Sequence, residues 1–235
     1  MTAAAASPQP ATGAGFPEGL RYADRLRLAA EARAAAVDGL ADGPGVALTS
    51  LLGPLGEGPE WPAGPAWRAI RREGRVLIFS DGLSDPWVDR KLPETGLGLE
   101  VYVDSPASGL AAGAPLVNAV DTWLFPMIAE VSHLLAGRST IRSSLLGGGL
   151  GSLEFMIDHL KDGLGHRGAL LNPGPDGMPA TILLPGGQVG LVAVTLLMPS
   201  ELLYLRRGGS REELARRLRQ AGVGHWSLPN REAVA

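Results

Sequence analysis

The pattern of apolar and polar positions divides this chain into recognisable segments. Val76-Leu77-Ile78-Phe79 is a short apolar run with the length and composition of a buried strand. The polar turn Ser80-Asp81-Gly82 follows it. In Leu83-Ser84-Asp85-Pro86-Trp87 the proline restricts Asp85 to extended conformations. Residues 97–104 then alternate, with Leu97, Leu99, Val101 and Val103 on one side and Gly98, Glu100, Tyr102 and Asp104 on the other. That second strand has one apolar face and one face bearing a carboxylate and a phenol. Residues 67–71 and 75–79 flank Glu73-Gly74 and predict a hairpin, with 97–104 as its antiparallel neighbour.

The flanking regions read as follows. Leu20, Ala23, Leu26, Ala30 and Ala34 recur at helical spacing, with Arg21, Arg25 and Glu31 off that face. They predict an amphipathic helix over 20–37 that Gly39 ends. A Gly- and Pro-rich loop follows, with a short helix expected at 46–52 and with Trp61 and Trp67 expected to cover the edge of the core. Residues 115–135 carry a wide apolar helical face, and Pro126 is expected to kink or split that helix. Residues 138–151 read as a flexible connection. Their Gly147-Gly148-Gly149-Leu150-Gly151 lacks both the Gly-Lys-Ser/Thr ending of a P-loop and the strand–helix context of a dinucleotide site. Residues 153–160 are apolar, and their type stays open. Residues 169–172, 180–184 and 189–197 predict three strands, the third so uniformly apolar that both its faces should be covered. Pro199 and Glu201 suit the start of a short helix. Ser210 with Glu213 forms a capping-box pattern opening a helix to Ala221. Residues 225–228 predict a last short strand.

Together these elements make an α+β chain, and composition narrows its function. With 235 residues, 45 % hydrophobic and 19 % charged, it has ample material for a core. A net charge of −3 argues against a nucleic-acid binder, which carries a basic excess. No apolar run approaches the roughly 20 residues of a membrane span. Residues 1–15 are rich in Ala, Pro, Thr and Gly and lack the basic and apolar regions of a signal peptide, so a disordered tail, a single domain over 16–235 and a cytoplasmic location are expected. There is no cysteine, and the histidines His133, His159, His166 and His225 show no ligand spacing, so neither a metal nor a cofactor is expected. Ser80 and Ser84 lie beside Asp81 and Asp85, but neither sits in a G-x-S-x-G elbow. Asp85 and Glu100 are candidates for paired-carboxylate hydrolysis. The structural alternatives are an Asx-turn at Asp81 or Asp85 and an ion pair from Glu100 to Arg75 or Arg90.

Three stretches carry a family resemblance. Gly82-Leu83-Ser84-Asp85 after an apolar strand, Gly96-Leu97-Gly98-Leu99-Glu100-Val101, and the closing series of residues 187–194, Glu201-Leu202, 214–218 and Trp226-Ser227-Leu228-Pro229-Asn230-Arg231 appear in order. They resemble the Suppressor of fused family, in particular the N-terminal-domain module that bacterial members carry alone. Leu97 and Leu99 replace the family's aromatics, and the match spans residues 67–231. The resemblance implies a mixed, largely antiparallel sheet packed against several helices. It also implies a non-catalytic module that binds another protein, as the eukaryotic member sequesters a transcription factor and bacterial members are placed as immunity proteins against toxins. Ser84, Asp85, Trp87, Glu100 and Tyr102 are then expected to rim the partner surface, with a core role for Trp87 and a buried partner for Glu100 as the alternatives. The competing function is a small hydrolase using a carboxylate or histidine.

Overall fold

The computed structural model describes residues 15–49, 61–89, 91–157 and 166–235. The expected N-terminal tail, His159 and Arg90 lie outside the described residues, apart from Gly15. A mixed sheet of eight strands forms the centre, in the order β1-β2-β3-β4-β8-β6-β5, with β7 paired to β8. The strands are β1 (Val46–Leu48), β2 (Trp67–Arg72), β3 (Arg75–Ser80), β4 (Leu99–Ser105), β5 (Gly151–Phe155), β6 (Arg167–Pro173), β7 (Thr181–Leu184) and β8 (Gly187–Leu197). Every pairing is antiparallel except β4 with β8.

The hairpin forms at the expected place. Glu73 and Gly74 both take positive φ, 51° and 74°, which matches the twist of the flanking strands. Residues 46–48, expected to be helical, instead pair with β2. Two β-branched or aliphatic side chains around an alanine are too short a run to favour helix over an available strand edge.

Helices cover both faces. On the first, Leu99, Val101 and Val103 join Ala69, Ile78, Val194 and Leu196 beneath α2 (Leu124–Ala136) and α3 (Ser139–Leu146). Pro126 sits in the first turn of α2, where its missing N–H costs nothing. The break expected there falls earlier, at Thr122 and Trp123, after a 3-10 turn at Leu116–Asp121. The connection expected at 138–151 contains α3. On the second face, Leu77, Phe79, Tyr102, Leu191 and Ala193 pack with Val37 of α1 (Tyr22–Asp38) and with Ile182 and Leu184 of β7. Further along that face α4 (Pro199–Arg206) and α5 (Arg211–Gln220) cover Leu170 and Leu197.

The inward stripe of α1 differs from expectation. It consists of Arg25, Ala29, Arg33 and Val37 rather than the leucine–alanine face. Of the two buried arginines on this stripe, Arg25 lies 3.8 Å from Glu94 in the loop before β4, and Arg33 meets Glu100 of β4 and two carboxylates of the loop that follows β3, as described below.

β4 and β8 run together only over Leu99↔Gly190 to Tyr102↔Ala193. Beyond that they part, and residues 225–227 enter the gap. Ser227 N–H donates to Asp104 O at 2.8 Å, its hydroxyl accepts from Leu196 N at 2.9 Å and donates to Val194 O at 2.8 Å, and Thr195 Oγ1 donates to His225 O at 3.1 Å. The segment expected as a strand is thus irregular, and one serine hydroxyl performs the bonding of a ladder rung. No described helix is long and apolar enough to cross a membrane.

Candidate functional site

The sequence motif at 82–85 wraps a carboxylate. Gly82 N–H and Ser84 N–H donate to Glu100 Oε1 at 3.2 and 2.9 Å, and Ser84 Oγ donates to the same atom at 2.6 Å. Ser80 Oγ is hydrogen-bonded to Oε2. Arg33 enters from α1. Its Nε lies 2.5 Å from Asp81 Oδ1 and 3.6 Å from Glu100 Oε1, and its Nη1 donates to Asp85 Oδ1 at 2.7 Å and Ser84 Oγ at 3.3 Å. Arg33 and Glu100 are 2 % and 1 % exposed. One guanidinium therefore serves three carboxylates, two of them almost wholly out of water.

This arrangement sets the titration. Burial alone would lower the Arg33 pKa, but Glu100, Asp85 and Asp81 outweigh it and hold the guanidinium above its ordinary value. Burial pushes Glu100 up to about 7, against the pull of Arg33 and of the Ser80 and Ser84 donors. Asp85 is also raised by burial, with Arg33 opposing. A protonated Glu100 is accommodated without rearrangement. Its Oε2–H donates to Ser80 Oγ, whose own hydrogen then turns to Val101 O at 3.3 Å. Because the folded-state pKa lies above the unfolded value, the Glu100 contribution to stability is complete below the unfolded pKa and is lost as pH rises through about 7. Between pH 5 and 8 that loss is on the order of 2–3 kcal/mol. Urea unfolding at a series of pH values is expected to show it, and Glu100→Gln should flatten the profile. A profile of equal slope in the variant would assign the dependence to other groups.

Gly96 closes the same corner. It takes φ 54°, and a Cβ there would stand 2.3 Å from Asp85 O and 2.7 Å from Leu83 O. Gly96→Ala is expected to lower stability by roughly 2 kcal/mol or more, read as a fall in the thermal midpoint.

The expected partner rim is therefore corrected. Ser84, Asp85 and Glu100 do come together, but they are buried beneath α1 because Arg33 neutralises them there. Tyr102 shares the Glu100 face of β4, is 0 % exposed and stacks on Phe79 with ring centres 5.1 Å apart. Its pKa is raised by burial and by Asp104. Trp87 is half-buried. Arg75 does not hold Glu100. Arg75 Nε binds Asp104 Oδ1 at 3.0 Å, and Arg90 lies outside the described residues. Trp61 and Trp67 are buried edge-to-face, as expected, and Trp61 Nε1 donates to His133 Nδ1 at 3.2 Å. Burial lowers the His133 pKa. No group of three or more potential metal-ligating side chains exists among the described residues.

A surface feature escaped the sequence reading. β5 ends the sheet, and no described residue makes a backbone bond to its outer side. A cleft of about 630 Å³ opens beside it, lined by Ser152, Leu153 and Glu154 of β5, by Arg138, and by Arg206 and Arg211 around the α4–α5 turn. Arg206 is bound to Glu154 through two hydrogen bonds of 2.9 and 2.5 Å, and Arg211 Nε donates to Ser152 Oγ at 2.9 Å. These arginines come from separate helices, and nothing in their local sequence links them to one strand edge.

The fold resembles part of that of Suppressor of Fused. The crystal structure of the Drosophila protein superposes with a TM-score of 0.51 at 14 % identity, covering 98 % of this chain. This chain spans 54 % of that one, about half its length. No family model matches the sequence, and no curated protein matches it.

Proposed function

We propose that this protein contains a non-catalytic binding domain of Suppressor of fused type, from a bacterial member that sequesters or inhibits another protein, with an immunity role against a toxin as the specific form. The observation that carries this reading is the outer edge of β5, to which no described residue makes a backbone bond, beside an open cleft. An extended segment of a partner can continue the sheet there through main-chain hydrogen bonds, while the cleft receives its side chains. The buried site also favours binding over hydrolysis. The carboxylates that suit acid–base work are occupied by Arg33 beneath a helix. A cytoplasmic location belongs to the same proposal.

Met156 follows β5 directly and is 66 % exposed. A photo-crosslinking amino acid at this position, in the source cell, is expected to give discrete protein adducts that the same group at exposed Val88 does not. Identical adduct patterns at the two positions, or none at Met156, would remove the β5 edge as the binding surface.

A further inference from the structure

The cleft at β5 is selective in charge. Among the described residues, three that line it are arginines, Arg138, Arg206 and Arg211, against one carboxylate, Glu154. The protein as a whole carries −3, so this corner runs against the average. The arginines also flank the edge from two directions. Arg138 sits at the α2–α3 junction, on the face of the sheet where Leu135, Leu145 and Leu153 pack together. Arg206 and Arg211 belong to the α4–α5 side, where Leu205, Leu214 and Leu170 pack. On β5 itself the side chains of Ser152 and Glu154 meet the second group, while Leu153 and Phe155 point into the first core. Pairing satisfies part of this positive charge, since Arg206 holds Glu154 and Arg211 holds a neutral hydroxyl. Arg138 donates to no carboxylate among the described residues.

From this geometry, and resting on the strand-addition reading above, we infer that the partner segment is acidic, with carboxylates on both sides of its strand. Successive side chains of an extended peptide project to opposite faces. One carboxylate then meets Arg138, and a neighbour of opposite parity meets Arg211. A segment acidic on alternate residues alone would satisfy one side of the edge and leave the other. Arginine suits this task because its planar fork takes a carboxylate with two hydrogen bonds. Complementary charge also raises the rate of encounter, an effect that salt weakens.

The test uses the full chain and three fluorescein-labelled nine-residue peptides built on a valine–threonine strand background. One carries glutamate at two adjacent central positions, the second glutamine there, the third lysine. Anisotropy at low salt is expected to rank them glutamate, glutamine, lysine, with the glutamate peptide roughly tenfold tighter than the glutamine one. Arg138→Glu and Arg211→Glu should each weaken the glutamate peptide about tenfold and leave the glutamine peptide nearly unchanged. Both side chains are on the surface, and an unchanged thermal midpoint shows that the fold is intact. Equal binding of the glutamate and glutamine peptides would overturn the acidic preference and leave edge addition standing. Absence of binding by all three, with Met156 adducts still formed, would overturn the extended acidic segment while keeping the surface. A concentration-dependent dimer in sedimentation, abolished by Arg138→Glu, would assign the edge to a second copy of this chain and overturn the inference.

Discussion

Arg33→Met is expected to destabilise the fold by about 3–5 kcal/mol, the usual penalty for stripping a buried ion cluster of one partner. The size follows from what remains. Glu100 and Asp85 keep their places beneath α1 without a cation, and Asp81 loses its 2.5 Å contact. Methionine fills most of the volume, so the loss is electrostatic rather than a cavity. Urea unfolding measures it, and the cycle with Glu100→Gln separates the coupling. The double variant should recover part of the loss, because an uncharged amide tolerates burial better than an unpaired carboxylate. A single variant within about 1 kcal/mol of the parent would show that water reaches the cluster, since exposed pairs contribute that little.

Arg231→Ala is expected to have a comparable effect, again about 3–5 kcal/mol. Arg231 Nη1 and Nη2 each lie 2.5 Å from an oxygen of Glu201, and Nη2 also donates to Leu196 O at 3.1 Å. Glu201 is fully buried, and it also accepts Met198 N–H at the start of α4 and Val234 N–H, both at 2.9 Å. One substitution therefore leaves an isolated carboxylate and frees the end of the chain from β8. Denaturant unfolding reads the stability. Limited proteolysis should show cleavage after residue 220 that the parent resists, and a parent-like digestion pattern would contradict the clamp. Arg231→Lys should rescue poorly, since an ammonium cannot span both oxygens and the Leu196 carbonyl in one plane.

These two clusters also mark where sequence reasoning reaches and where it stops. Alternation over 97–104 correctly divides β4 into a leucine–valine side and a Glu100–Tyr102 side, because pleating fixes side-chain direction locally. The apolar run 189–197 identifies a strand covered on both faces. What alternation does not reveal is the cover. A carboxylate facing inward reads as surface unless its cation is known, and Arg33 lies on a distant helix. A signal existed in α1. Arg25 and Arg33 share the stripe of Ala29 and Val37, eight residues apart, a spacing that puts both on one face. Counting every arginine as solvent-facing hid it. The 82–85 corner and Glu100 were legible as neighbours through the family resemblance, while their burial was not. The strand β1 is too short to carry a period, and the β5 cleft depends on three arginines that only tertiary packing collects.

The parting of β4 from β8 has a consequence for biosynthesis. The rung supplied by Ser227 joins strands made long before it, so beyond the direct pairing of residues 99–102 with 190–193 the β4–β8 seam stays open on the ribosome until residues 225–231 leave the exit tunnel. Such late, sequence-distant closure slows maturation and lengthens the interval in which nascent strands are open to aggregation. Chaperone demand during translation should accordingly fall on the completed sheet-forming region rather than on the early helix.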